Sequence, residues 1–239
     1  QPALRTETPA SGSPGVFPAL VPGDVRLVLP LHPGVSNLEN CLKKSVEAQR
    51  YLWASPNHPA PLNYLGDEST GEGFQYLFAG LLMEPAWLSE TLKYRGSRIL
   101  QKRLALRRAG AIRKIAAEAI FEAEFYSGMA IDLAEKRYHE LLLEALGVAP
   151  YTGSFARSTS GDFKAAASLR AYVFEAQLRE FVKLRFGSRW WTSRKAADFL
   201  IEIWNTGGRY SLDELSRLTD VGDLSFDWLA DDLQKSLRD

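Results

Sequence analysis

The sequence predicts a mainly helical fold, α+β only through one small β element. Three observations carry this reading. One short run, residues 24–31 (DVRLVLPL), alternates apolar and other side chains with the period of a strand. From Ser36 onward the apolar residues recur with helical spacing instead. The breaks in that spacing fall at proline, glycine and hydroxyl or carboxylate residues, which stop and start helices. A chain of 239 residues can bury one sizeable core.

The elements follow in order. Residues 1–22 are rich in Pro, Ser, Thr, Gly and Ala and read as an extended arm or linker, leaving 23–239 as a single domain. In the strand, Val25, Leu27 and Leu29 share one face. Pro30 has no N–H for a ladder, so an edge strand is expected, ended by His32-Pro33-Gly34. Leu38, Leu42, Val46 and Tyr51 then mark one face of a helix over 36–54. Pro56, Pro59 and Pro61 stop it and give a loop to about Leu65. Residues 72–83 (EGFQYLFAGLLM) are apolar nearly all round, as in a helix buried on most sides. Pro85 opens the next helix at a first-turn position.

Residues 86–146 read as long helices with Gly147 as C-cap. A Gly/Ser/Thr-rich loop spans 150–161, and Asp162 can cap a helix that runs to Phe186 and ends at Gly187. Thr192 or Ser193 starts another, closed by Gly207-Gly208. Ser211-Leu212-Asp213-Glu214 is a capping box, and the last helix begins near Ser225. No internal repeat is present.

Composition excludes several functions. Lys+Arg and Asp+Glu number 29 each, a balance unlike that of a general nucleic-acid or anionic-membrane binder. No apolar run is long enough to span a bilayer. The single cysteine, Cys41, excludes an internal disulfide and a multi-cysteine zinc site. Histidine is confined to His32, His58 and His139, which restricts metal and acid–base chemistry. The basic stretch 93–114 reads as a solvated helix face, balanced by Glu118, Glu122 and Glu124. Phe74, Tyr76, Phe78, Trp190 and Trp191 read as core aromatics. Neither GxGxxG, GxxxxGK[ST] nor GxSxG occurs. Gln1-Pro2 without a Met reads as a processed or trimmed start.

Residues 65–88 (LGDESTGEGFQYLFAGLLMEPAWL) resemble a segment of the gluzincin metallopeptidases related to the M3 oligopeptidase and M2 dipeptidyl carboxypeptidase families. There a Glu at the head of a buried helix supplies the third zinc ligand. Glu72, Pro85 and Leu88 fit that layout. Residues 162–191 resemble the helix that carries transition-state-stabilising tyrosines, and 192–218 the closing helices. The likeness runs from about residue 14 onward. It implies the zincin-like, helical C-terminal part of an M3-type metallopeptidase.

The chain departs from that pattern at the chemistry. The family's HExxH places two His one turn apart to hold zinc, with a Glu to activate water. Its slot falls on Lys43-Lys44-Ser45-Val46-Glu47: Lys43 at the first His, Lys44 at the base, Glu47 at the second His. No His lies between His32 and His58, so the motif is absent in any register. Lys164 and Ser168 stand where the family carries Tyr, and Tyr172 is the nearest survivor. The resemblance therefore implies a catalytically inactive domain without a cofactor, binding a peptide or a protein partner but neither nucleic acid nor membrane. It also leads us to expect Glu72 ion-paired with Lys43 or Lys44 where metal would have been. One rival is an active peptidase whose zinc is held by Glu47, Glu72 and one of His32 or His58. Another is a structural module of a longer, two-lobed peptidase-like chain.

Overall fold

The computed structural model describes residues 4–30, 32–148, 151, 155–156 and 162–238, apart from the side chains of Ser97 and Arg238. The expected loop over 150–161 lies largely outside these residues.

Three strands form one sheet: β1 (Leu4–Glu7), β2 (Gly15–Leu20) and β3 (Asp24–Val28), in the order β1-β3-β2. β1 runs parallel to β3 and β2 antiparallel to it. Two expectations are thereby corrected. The segment read as an arm supplies both flanking strands, and the strand read as an edge is the central one. Pro30 lies beyond the end of β3, so its missing N–H removes no ladder bond. The proline rule holds instead for Pro18, which sits in the edge strand β2. Val25 and Leu27 are buried with Ala48 and Leu52 of the first helix, which fixes the sheet against it.

That helix, α1 (Val35–Trp53), is followed by the short α2 (Ala60–Tyr64) inside the proline-rich stretch. Proline is tolerated in such a first turn because the N–H it lacks has no intrahelical acceptor there. Helix α3 (Glu68–Ala79) starts ahead of Glu72 because the Asp67 carboxylate caps it, accepting from the Ser69 N–H at 2.9 Å. A 3₁₀ turn over Gly80–Met83 tightens its end. Then come α4 (Pro85–Thr91), α5 (Ser97–Tyr126) and α6 (Ile131–Leu146), the last ended by Gly147 in the left-handed conformation.

Helix α7 (Lys164–Phe186) begins beside two carboxylates. Asp162 accepts from the Lys164 N–H at 3.3 Å, and burial raises the carboxyl of Glu122 of α5 against the opposing pull of the Ala165 and Ala166 N–H groups at the helix start. Ser193 caps α8 (Arg194–Asn205). The expected capping box opens α9 (Leu212–Leu218), with Ser211 and Glu214 bonded reciprocally. Helix α10 (Phe226–Arg238) closes the chain. Among the described residues no helix is long and apolar enough to cross a membrane.

The main core lies where α3 packs on α7, with α1 and α8 beside them. Phe74 stands edge-on to Phe174 at 5.7 Å between ring centroids and to Trp204 at 5.9 Å. The core reading of Phe74, Phe78 and Trp190 holds: the last two meet edge to face at 5.4 Å.

A second tie joins α5, α7 and α10. Glu175, 2% exposed, accepts from Arg108 Nη2 at 2.6 Å and Arg179 Nε at 2.7 Å. Asp232 accepts from both arginines in turn. Burial alone would raise the Asp232 carboxyl, but Arg179 and Arg108 outweigh it and hold it below its ordinary 3.8. A depressed folded-state value stabilises above the unfolded value, and that contribution fades as pH falls through the folded one. Urea midpoints should therefore drop below about pH 4 more steeply in wild type than in Asp232→Asn. Parallel pH profiles for the two proteins would contradict this.

Candidate functional site

Helices α1 and α3 face each other across a cavity of about 390 Å³, closed by the start of α7 and by Gly207-Gly208 after α8. The cavity gathers Lys44 and Glu47 from α1, Glu72 from α3 and Lys164 from α7. Four of the positions singled out in the sequence thus converge. Lys43 and Tyr172 do not join them. They line a separate cavity of about 580 Å³ between α1, α5 and α7. Ser168 is buried and donates to Glu72 Oε2 at 2.7 Å.

The expected ion pair of Glu72 with Lys43 or Lys44 does not form. Lys43 pairs with Glu39 at 2.8 Å and lies over the Tyr76 ring at 5.1 Å. Lys44 pairs with Glu47 at 2.6 Å. Both partners lie on α1 itself, one turn away, within reach without crossing the cleft. Glu72 is held by hydroxyls instead: that of Ser168 and, at 3.2 Å, that of Tyr76. Tyr76 escaped the sequence reading as a site residue, although its position four residues after Glu72 puts the two on one helical face.

Tyr76 stacks on Tyr172 with ring centroids 4.1 Å apart and an interplanar angle of 10°. Burial raises both phenols. Tyr172 is pushed up to about 12 against the opposing pull of Arg108. Tyr76 goes higher still, helped by Tyr172 and Glu72. Both remain neutral near pH 7, and the Tyr76 hydroxyl is a donor to Glu72.

A zinc site needs three or four lone-pair donors around one point. Among the described residues no group of three or more His, Cys, Asp and Glu side chains is placed to hold an ion. His32 is exposed, and its backbone carbonyl accepts from Asn37. His58 packs beside Gly207 rather than Glu72, its Nδ1 only 3.0 Å from where a Cβ on Gly207 would sit. Lys44, whose ammonium pairs with Glu47, offers no lone pair in this cavity.

Other side chains of the cavity carry more information than the positions singled out in the sequence. Arg50, one turn after Glu47 on α1, has no hydrogen bond or ion pair among the described residues. Its guanidinium lies 5.9 Å from the Phe74 ring centroid and against α3 at Gly71, where a Cβ would overlap Arg50 Nη1. Burial lowers its pKa, with Tyr51 and Glu47 opposing, yet it stays cationic at neutral pH. Three polar atoms of the lining are buried without a partner among the described residues: Asn63 Oδ1, Thr70 Oγ1 and Trp204 Nε1. Their residues come from α2, α3 and α8, so no local pattern in the sequence unites them. Asp67, by contrast, is fully engaged. Burial would raise its carboxyl, but the N–H groups of Leu212 and Ser69 and nearby Arg170 hold it below its ordinary value.

No protein-family model matches the chain, and no curated protein sequence matches it. A solved structure does: metallocarboxypeptidase 1 of Trypanosoma cruzi, with a TM-score of 0.72 and 18% identity. The alignment covers 99% of this chain and 56% of that one, so the chain spans little more than half the neighbour's length. At this identity the likeness establishes architecture and leaves the narrower M3 and M2 assignment without a matching family. The mainly helical framework, with its small sheet packed on α1, is a metallopeptidase-like fold.

Proposed function

We propose that this chain is a metal-free, non-hydrolytic domain of metallopeptidase-like fold that binds a peptide segment in the cleft between α1 and α3. One observation carries the reading: the Glu72 carboxylate is engaged by the Ser168 and Tyr76 hydroxyls and shares its cavity with the Lys44–Glu47 ion pair. Hydrolysis on this fold also needs a base, and an ammonium ion already bound to a carboxylate does not accept a proton. The cavity volume falls within the range of ligand sites, roughly 300–1,000 Å³.

Zinc analysis tests this. The purified chain, incubated with excess zinc and desalted, is expected to retain far less than one equivalent. A chelator should leave its thermal midpoint unchanged, since a ligand that does not bind the native state cannot stabilise it. One zinc per chain that is lost on Glu72→Gln would overturn the proposal, as would peptide cleavage by the zinc-loaded protein.

A further inference from the structure

We infer that the α1–α3 cavity is a carboxylate-recognition site, in which the Arg50 guanidinium takes the place of a metal as the cation that holds the ligand. The inference rests on the peptide-binding reading above and names the group that is bound.

A buried guanidinium is costly unless a counter-charge and hydrogen-bond acceptors meet it. Elsewhere in this protein the rule is kept: Arg108 and Arg179 share Glu175 and Asp232. Arg50, half-buried with its guanidinium on the cavity wall, departs from it: among the described residues no carboxylate pairs with it. Glu47, one turn back on the same helix, is taken by Lys44, and Glu72 by two hydroxyls. α3 nevertheless makes room for Arg50. Gly71, inside that helix, leaves free the space its guanidinium occupies, although glycine there costs about 1 kcal/mol of helix propensity.

The second observation is independent of charge. Asn63, Thr70 and Trp204 are 9%, 6% and 7% exposed, and each presents an unpartnered polar atom in the same lining. The set is complementary. The Arg50 fork and the Trp204 Nε1–H donate, Thr70 Oγ1 donates or accepts, and Asn63 Oδ1 accepts. A carboxylate next to an amide satisfies it: the oxygens take the guanidinium and indole N–H groups, and the amide N–H donates to Asn63. The acidic members of the lining, Glu47, Asp67, Glu68 and Glu72, disfavour a dianion such as phosphate. The chemistry therefore points to a monocarboxylate carrying an amide. A peptide's C-terminal residue offers it, and so does an Asp or Glu side chain within a peptide.

Calorimetric titration of the full chain tests this with four probes: acetyl-trialanine with a free carboxylate, its C-terminal amide, an amidated acetyl-Ala-Glu-Ala, and inorganic phosphate. We expect one-to-one binding of at least one carboxylate peptide. Binding of the free acid alone assigns the site to chain ends, and binding of the Glu peptide assigns it to acidic side chains. Arg50→Met should weaken binding roughly tenfold or more, the scale of one charge-assisted pair. Arg50→Met should also leave the thermal midpoint equal or raised, because it removes a partly desolvated cation that no carboxylate pairs with among the described residues, and Thr70→Val should weaken binding without unfolding the chain. The inference fails if Arg50→Met binds as tightly as wild type, if the Arg50→Met midpoint falls, if phosphate binds as well as the peptides, or if no carboxylate peptide binds. Zinc is measured on the same preparation. A metal-free protein that binds no carboxylate overturns this inference alone, whereas a zinc-loaded, peptide-cleaving protein overturns the reading beneath it.

Discussion

Replacing Glu175 by alanine is expected to remove about 3–5 kcal/mol of folding stability, the usual cost of breaking a buried ion pair on one side. Glu175 is 2% exposed and accepts from Arg108 and Arg179, which come from two different helices. Its loss leaves two positive charges to Asp232, with only the half-buried Glu180 in addition among the described residues, 3.9 Å from Arg179. The gain from attraction disappears while the desolvation cost of the arginines stays. Glu175→Gln keeps the shape and one acceptor and should lose less. Adding Arg179→Met to Glu175→Ala should recover part of the loss, because the orphaned cation goes too. Urea denaturation of wild type, Glu175→Ala, Arg179→Met and the double variant measures the cycle, with Glu175→Gln beside it. A loss below about 1 kcal/mol for Glu175→Ala would show that solvent already screens the network.

Gly208→Ala is expected to cost about 1–3 kcal/mol, with a local shift of the cavity wall. A Cβ at Gly208 would overlap the Leu65 carbonyl oxygen and come within 3.1 Å of the Gly66 Cα. These obstacles are backbone atoms, so rotamer changes cannot relieve them. The Gly208 N–H also donates to the Leu62 carbonyl at 2.6 Å, which pins the end of α2 to the turn after α8. Separating the two should widen the cleft on the Asn63 side. Amide exchange around residues 62–66 and 207–208 reads the effect directly. Exchange there as slow as in wild type, with an unchanged urea midpoint, would refute it.

The helical framework was largely legible in the sequence because its signals are local. Ser211-Glu214, Ser193, Pro85 and Gly147 act within one turn of where they stand. The sheet was misread for the opposite reason. Pairing of β1 and β2 with β3 joins residues about 20 and 10 positions apart, and a Pro/Gly/Ser-rich segment with little alternation gives no sign of it. The site was legible as a place and not as a set of bonds. Residues 43–47 and 72 lie on α1 and α3, which pack on each other. Which carboxylate each lysine would choose depended on the rotamers of α1 and on hydroxyls from α3 and α7. Arg50, Asn63, Thr70 and Trp204 meet only after four elements have packed, and a linear pattern records none of that.

The position of β3 between two neighbours bears on where this chain can be cut. A truncation at residue 23, at the boundary the composition suggests, would leave a lone strand with open hydrogen-bonding groups on both sides. Such a strand, still carrying Val25 and Leu27, is a template for self-association. Residues 4–20, which supply both of its neighbours, are therefore part of the folding unit.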